Sequence, residues 1–186
     1  MPVVLDANVL FPASLRDTLL RTAAEGLFRP AWTATIWDEV LDNLTTKPRN
    51  PMPPAAAAHL RAEVLRHFPD AAVMGYEDLI PSLTNDEKDR HVLAAAVHAQ
   101  ARQIVTCNLK HFPERALAPY GITALEPDEF LMAIAGPMTE RVTRIIREQA
   151  AALKRPSATP ARILGTLAQH APTFVAFIRP LIEGRA

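Results

Sequence analysis

Short apolar runs that alternate with amphipathic helical patterns constrain the fold of this chain more than any other feature. The run at residues 2–5 is apolar and β-branched, and similar runs recur near residues 71–74, in the segment "RQIVTCN" and at residues 122–125. Between them, segments such as "TATIWDEVLDNL" repeat apolar residues at helical spacing. Strands that alternate with helices in this way favour an α/β domain with a mainly parallel sheet.

The first apolar run ends directly on a carboxylate, in the segment "VVLDANVLFP". Ligands of open α/β sheets bind beyond the carboxyl ends of the strands, and Asp6 follows one such end. Thr106 and Asn108 follow another. Taken singly, Asp6 could cap the next backbone amides, and Asn108 could form an Asx-turn. Gathered at one sheet edge, these side chains would instead form a cluster of oxygen donors.

Two further acids are candidates for the same cluster. Glu39 flanks the apolar stripe of its predicted helix, where Asp38 and Asp42 compete for the role, and Asp89 lies near the start of the helix "EKDRHVLAAAVHAQA". We expect Asp86 to be the N-cap of that helix, and an acid in the first turn also complements the helix dipole. Clustered carboxylates repel one another and require protons or cations. Oxygen donors without a His/Cys cluster favour Mg²⁺ or Mn²⁺, which suits metal-assisted phosphodiester cleavage.

Composition narrows the class of protein. The 186 residues can form one domain, or one domain with a helical extension. Because the chain has neither a long uninterrupted apolar stretch nor a basic segment followed by an apolar one at its N-terminus, we expect no membrane span and no signal peptide. The single cysteine, Cys107, suits a reducing cytoplasm. The 20 Lys+Arg balance the 20 Asp+Glu, so the net charge does not indicate a polyanionic partner.

Three segments of the chain resemble the PIN-domain ribonucleases, in particular the bacterial branch that includes the VapC-type toxins. The segments are "VVLDANVLFPASLRDTLLRTA", "TIWDEVLDNL" and "DEKDRHVLAAAVHAQARQIVTCNLKHFP", and the resemblance covers roughly residues 2–130. It implies a three-layer α/β/α sandwich with a mainly parallel central sheet, followed by C-terminal helices. It also implies a nuclease domain over residues 1–135 and a helical extension over residues 136–186, packed on that domain or on a partner.

The resemblance implies a metal-dependent endoribonuclease that hydrolyses RNA phosphodiester bonds. Matched position by position, its acidic triad, which would bind Mg²⁺ or Mn²⁺, falls on Asp6, Glu39 and Asp89. Asn108 matches a further catalytic position after the strand, and Asn8 and Thr106 match supporting positions.

His111 departs from the family pattern, because the family commonly has an aspartate there. If that acid is an additional outer ligand, its replacement would weaken metal binding or favour Mn²⁺ over Mg²⁺. A protonated histidine could alternatively contact a phosphate. We expect a surface histidine in a loop.

Basic residues indicate where RNA would bind. A stripe on a C-terminal helix, extended by Lys154 and Arg155, is typical of a surface for phosphates or of a helix face that is merely solvated. Arg90 and Lys110 neighbour Asp89 and Asn108 in sequence, and Arg16 lies on the first predicted helix. The RNA-binding candidates are Arg16, Arg90, Lys110, Arg141, Arg144 and Arg147.

Two other functions are open to this sequence. A haloacid-dehalogenase-type phosphatase also has an aspartate after its first strand, but it requires a second aspartate two residues later, where this chain has Asn8. A PIN fold without cleavage activity would serve as an RNA-binding or protein-interaction module. For a toxin of this family, the resemblance implies an RNA substrate, an antitoxin protein as partner and a homodimer.

Overall fold

A four-stranded parallel sheet forms the centre of the computed structural model, which describes residues 1–47, 51–152 and 159–184. The strands lie in the order β2-β1-β3-β4. They are β1 (Pro2–Leu5), β2 (Arg29–Ala31), β3 (Gln103–Val105) and β4 (Thr123–Leu125). All neighbouring strands pair in parallel, so the predicted α/β class is confirmed.

The strand order creates a place where a ligand site is expected. From β1 the chain crosses to β2 on one side and later returns to β3 on the other side. Val3 accordingly pairs with Pro30 in one register and with Gln103 in the other. The carboxyl ends of β1 and β3 therefore flank a topological switch point. Asp6 and Thr106, which directly follow these two strands, lie at this point.

By its internal contacts the chain forms two compact units. The first unit comprises residues 1–11 and 28–125 and contains the sheet; the second comprises residues 12–27 and 126–186. The helices of the first unit are α1 (Ala7–Leu10), α3 (Ala34–Thr46), α4 (Pro54–His67), α5 (Arg90–His98) and α6 (Glu114–Leu117). Those of the second are α2 (Ala13–Ala24), α7 (Pro127–Ala135), α8 (Thr139–Ala152), α9 (Pro160–Leu167) and α10 (Pro172–Glu183). The domain boundary at residue 135 stays a prediction.

The core of the first unit includes the central strands and α5. Val4, Leu5 and Ile104 have no solvent exposure, and neither do residues 92–96 of α5. This helix contacts both β1 and β3. Strands that are buried on both faces need the continuous apolar runs that the sequence contains. The core therefore fixes α5 against the two strands whose ends flank the switch point.

Polar contacts join the helices of the second unit. The hydroxyl of Thr18 on α2 donates to the side-chain oxygen of Gln149 on α8 at 2.8 Å. Asp128 on α7 accepts the backbone N–H groups of Thr173 and Phe174, at 3.1 and 2.8 Å. Because the first turn of a helix has N–H groups without helical partners, the Asp128 carboxylate stabilises the start of α10.

Three details differ from the sequence predictions. The strand near residues 71–74 is wrong: a 3₁₀ turn covers Pro69–Ala71, and only an isolated bridge joins Trp32 to Ala72. The short strand β2 was not predicted. Asp86 does not cap α5, because a 3₁₀ turn intervenes; its carboxylate accepts the Lys88 N–H at 3.1 Å.

Asp89, not Asp86, occupies the N-cap position of α5, and its side chain makes no capping hydrogen bond. The predicted basic residues Lys154 and Arg155 lie outside the described residues. No helix in the described parts of the chain is long and apolar enough to cross a membrane.

Candidate active site

Asp6 is the centre of a hydrogen-bond network at the carboxyl ends of β1 and β3. The residue is only 3% exposed. Its Oδ2 accepts hydrogen bonds of 2.6 Å from both Thr106 Oγ1 and Asn8 Nδ2, and Asn8 Nδ2 also lies 3.0 Å from Thr106 Oγ1. The Asp6 backbone N–H donates to the carbonyl of Val105 at 3.1 Å. These contacts join the end of β1 to the end of β3 and fix the carboxylate between them.

The segment after β3 is bound to the same network. Asn8 Oδ1 accepts the backbone N–H of Cys107 at 2.9 Å, and Thr106 Oγ1 accepts that of Asn108 at 3.0 Å. Asn8 and Thr106, the predicted supporting residues, thus contact both Asp6 and the backbone that leads to Asn108. Asn108 itself is half-buried at this edge of the sheet.

The electrostatics of Asp6 indicate that the other predicted acids lie near it. Burial raises the pKa of the Asp6 carboxyl from 3.8 to about 6, because desolvation penalises the charged form. The Thr106 hydrogen bond opposes this effect, whereas the charges of Asp89 and Glu39 raise the pKa further. Both acids are therefore within electrostatic range of Asp6. A cation at this place would offset both the burial and the repulsion.

Asp89 is held by His111. The His111 Nδ1 lies 2.6 Å from Asp89 Oδ2, and both side chains are mostly buried. The Asp86 N–H donates to the His111 carbonyl at 3.2 Å, which keeps the two segments together. The sequence led us to expect a surface histidine in a loop, whereas the His111 side chain is only 25% exposed and contacts Asp89. Asp86, Asp89 and His111 each offer one ligand atom, these atoms lie within 4.8 Å of one another, and the group could hold a metal ion.

Glu39 extends from α3, and its side chain is 42% exposed. Its Oε1 lies 3.1 Å from Nε2 of His91, whose ring is only 11% exposed. The separation is that of an ion pair, but the angle is outside that of an aligned hydrogen bond. Sequence reasoning missed this contact. The available signal was the position of His91 on α5, two residues after Asp89.

Two of the basic candidates belong to the same unit as the acids. Arg90 is the first residue of α5, and its Nε is buried without a hydrogen-bond partner among the described residues. Lys110 is exposed in the 3₁₀ turn Leu109–His111, directly after Asn108. Their contact with RNA stays a prediction.

The other basic candidates belong to the second unit. Arg16 on α2 is buried, and burial lowers the pKa of its guanidinium. Arg141 donates to the carbonyl of Glu25, Arg144 lies 2.6 Å from the Glu25 carboxylate, and Arg147 donates to the Leu181 carbonyl at 3.1 Å. The arginine stripe of α8 thus has partners within its own unit. Its role in RNA binding stays a prediction.

A model of the PIN domain matches residues 2–110. This segment contains β1, β2 and β3 and every side chain of the Asp6 network. The chain belongs to the PIN-domain family. This membership agrees with the parallel sheet flanked by helices, so the PIN-like α/β/α fold inferred from the resemblance is confirmed.

Residues 127–180 match a second family model, the VapC50 C-terminal domain. The PIN-domain chain is also 46% identical over 111 residues to a protein of Mycobacterium tuberculosis that is named "Putative ribonuclease VapC50". The match covers 60% of this chain and 66% of the relative. No solved structure matches the chain. These similarities confirm the predicted relation to the VapC-type branch.

Proposed function

We propose that this PIN-domain protein is a metal-dependent endoribonuclease, and that it is the toxin component of a bacterial toxin–antitoxin pair. The observation that carries the proposal is the buried Asp6 carboxylate at the carboxyl ends of β1 and β3, where Thr106 and Asn8 bind it and the charges of Glu39 and Asp89 act on it. The name of the Mycobacterium tuberculosis relative, "Putative ribonuclease VapC50", supports both parts of the proposal.

The donor set fits Mg²⁺ or Mn²⁺. Asp6, Glu39 and Asp89 would hold the ion through carboxylate oxygens, the ligands that these hard cations prefer. Burial makes an ionised Asp6 costly without a positive charge nearby. A bound divalent ion supplies Lewis-acid stabilisation of the charge on the scissile phosphate and lowers the pKa of the attacking water.

The surrounding side chains orient the reacting groups. Thr106 and Asn8 donate to Asp6 Oδ2 and hold it in its ionised form against the effect of burial. Asn108, whose backbone is fixed by Thr106, would orient the water or the phosphate with its amide. Asp6, Glu39, Asp89 and Asn108 are therefore the proposed catalytic residues.

RNA would meet basic residues around this edge. Arg90 and Lys110 adjoin Asp89 and Asn108 in the chain, and they are the first candidates for phosphate contacts. In the second unit, the proposed RNA contacts are Arg16 on α2 and Arg141, Arg144 and Arg147 on α8. Contacts of this kind position the substrate without reading its sequence.

A toxin of this type requires an inhibitor. We infer an antitoxin protein, one segment of which covers the acidic edge, and the cytoplasm as the place of action. We also infer a homodimer. Sedimentation of the purified chain, alone and with a protein encoded next to it in the genome, tests both associations.

Cleavage of a mixed RNA pool by the purified protein tests the proposed activity. The reaction is run with Mg²⁺, Mn²⁺ or EDTA, beside Asp6→Asn and Asp89→Asn. The expected result is cleavage with a metal ion, no cleavage with EDTA, and loss of cleavage in both variants while the circular dichroism spectrum is retained. Asp42→Asn, which removes an exposed acid of α3, is the matched control and should keep full activity.

The opposite result would identify the alternative function. If the protein binds RNA but cleaves none with either metal, it is a non-catalytic PIN-fold module. If Asp42→Asn abolishes cleavage and Asp6→Asn does not, the assignment of the acids is wrong.

A further inference from the structure

We propose that His91 is a positioning residue that holds the Glu39 carboxylate in place for the divalent ion. The proposal rests on the proposed function, because it assigns Glu39 to the metal site. It gives a role to a residue of α5 that lies outside the acidic triad. Its basis is the 3.1 Å separation between His91 Nε2 and Glu39 Oε1.

Glu39 is the least constrained of the three acids. Asp6 receives hydrogen bonds from Asn8 and Thr106, and Asp89 lies 2.6 Å from a nitrogen of His111. The Glu39 side chain is longer and 42% exposed. Among the described residues, His91 is the one side chain that it meets within ion-pair distance. Without this contact, the carboxylate would lose its defined position when no metal ion is bound.

The His91 ring has a reason to turn towards Glu39. Both of its nitrogens are inaccessible to solvent, and neither has an aligned hydrogen-bond partner among the described residues. A buried polar atom without a partner is costly, so the ring gains by donating to a carboxylate that already lies at 3.1 Å. Because Nδ1 has no acceptor nearby, we assign the N–H of the ring to Nε2.

The present angle of the contact is consistent with this role. Hydrogen bonds at catalytic sites are often poorly aligned in the free protein and tighten in the complex. A bound ion that draws in one Glu39 oxygen would leave the other oxygen to accept from Nε2. Metal-binding carboxylates are commonly held in this way by an outer hydrogen-bond donor.

Helix α5 makes His91 a rigid support. Asp89 occupies the N-cap position of this helix, and His91 follows in its first turn. Residues 92–96 are fully buried, so the helix is fixed in the core. One packed helix therefore carries both an acid of the site and the group that orients a second acid. Supports on rigid elements give more accurate ligand geometry than supports on loops.

The geometry favours a positioning role over direct ligation by His91. The contact of His91 is with the carboxylate itself.

Calorimetric titration of Mn²⁺ into the metal-free protein tests the proposal without RNA. His91→Ala should weaken Mn²⁺ binding by about 10- to 100-fold. His91→Gln should recover part of the affinity, since its amide can donate to Glu39. His98→Ala, on the same helix but exposed, is the control and should bind as the wild type does. The melting temperature of each variant, measured in EDTA, shows whether it is folded.

A double-mutant cycle separates positioning from a general structural effect. In the Glu39→Gln background, adding His91→Ala should change Mn²⁺ affinity by no more than about twofold. If His91→Ala weakens binding equally in both backgrounds, His91 acts independently of Glu39, either as a ligand or through packing, and the proposal is wrong. Wild-type affinity in His91→Ala, or no Mn²⁺ binding by the wild type, overturns it too.

Nitrogen-15 spectra of the His91 ring provide a second test that does not depend on the folding of a His91 variant. In the wild type, Nε2 should be the protonated nitrogen, and its signal should shift when Mg²⁺ is added and in Glu39→Gln. An unchanged signal in Glu39→Gln contradicts the contact. If Mn²⁺ binds as expected but RNA is not cleaved, the proposed function fails while the role of His91 stands. If the wild type cleaves RNA but His91→Ala binds Mn²⁺ with undiminished affinity, the proposed function stands and the role of His91 fails.

Discussion

Two charged regions of the molecule, the acidic edge of the sheet and the arginine stripe of α8, differ in how their charges are compensated. Glu39 and Asp89 add negative charge near an Asp6 carboxylate that is already buried, and together these effects raise its pKa to about 6. On α8, Arg144 is paired with Glu25 at 2.6 Å. Both regions are conspicuous in the sequence. The structure distinguishes a site in which carboxylates raise the pKa of a buried acid from a helix on which Arg144 has an acidic partner.

The largest expected effect is on catalysis. Asp6→Asn keeps the size of the side chain and removes the charge that would bind the ion. Metal catalysis contributes several kcal/mol of transition-state stabilisation, so we expect the rate of RNA cleavage to fall by at least about 100-fold. Initial rates under saturating Mn²⁺ measure the effect. A fall in cleavage rate of less than tenfold would show that the Asp6 charge is not essential for catalysis.

The second prediction concerns stability against pH. In EDTA, the folded protein keeps a proton on Asp6 up to about pH 6, whereas the unfolded chain loses it near 3.8. The folded state therefore binds more protons in this window, and stability falls as the pH rises from about 4 to about 6, by roughly 3 kcal/mol from this group. Urea unfolding across this range, wild type minus Asp6→Asn, isolates the effect. A difference that stays constant with pH would show that Asp6 is not perturbed.

The third prediction concerns a compensated charge. Asp128 accepts two backbone N–H groups at the start of α10. Asp128→Ala should destabilise the protein by about 1 kcal/mol, because these donors lose their partner. Thermal unfolding measures the loss, and Asp128→Asn, which retains one acceptor oxygen, should lose less. Cleavage per folded molecule should not change; a change would connect the second unit with catalysis.

The smallest effect is expected from the stripe itself. Removal of one phosphate contact lowers the salt dependence of RNA binding by about one counterion. We expect this result for Lys110→Ala, whereas Arg144→Ala should alter binding less, because Glu25 competes for that guanidinium. Fluorescence anisotropy at several salt concentrations compares the two variants. A larger effect of Arg144→Ala than of Lys110→Ala would show that the α8 stripe contributes more to RNA binding than the acidic edge of the sheet does.

The sequence was sufficient for the parts of the fold that local patterns determine. The apolar runs of β1, β3 and β4 were predicted because buried parallel strands need them. Strand β2 was missed, since "RPA" has no strand pattern and contains Pro30, which an edge strand tolerates. The strand near residues 71–74 was wrong because pairing there stops at one bridge.

The acids of the site were proposed from the resemblance and from their positions, Asp6 after a strand and Glu39 and Asp89 on predicted helices. Their catalytic roles stay predictions. The supporting residues of Asp6, Asn8 and Thr106, were predicted, but the histidine partners of Asp89 and Glu39 were not. His111 meets Asp89 across 22 residues of sequence, and His91 meets Glu39 from another helix. Neither spacing has a local pattern, because such contacts depend on how whole helices pack.

The hydrogen bond between Asp6 and Thr106 spans 100 residues of sequence, and β1 pairs with β3 over the same interval. Domains form during synthesis only after their parts have left the ribosome, and pairings of long sequence separation come late. Asp6 therefore leaves the ribosome 100 residues before Thr106, and the hydrogen bond between them can form only after that interval. A ribosome that synthesises this protein would meet no assembled acidic site until the segment that contains Thr106 has emerged.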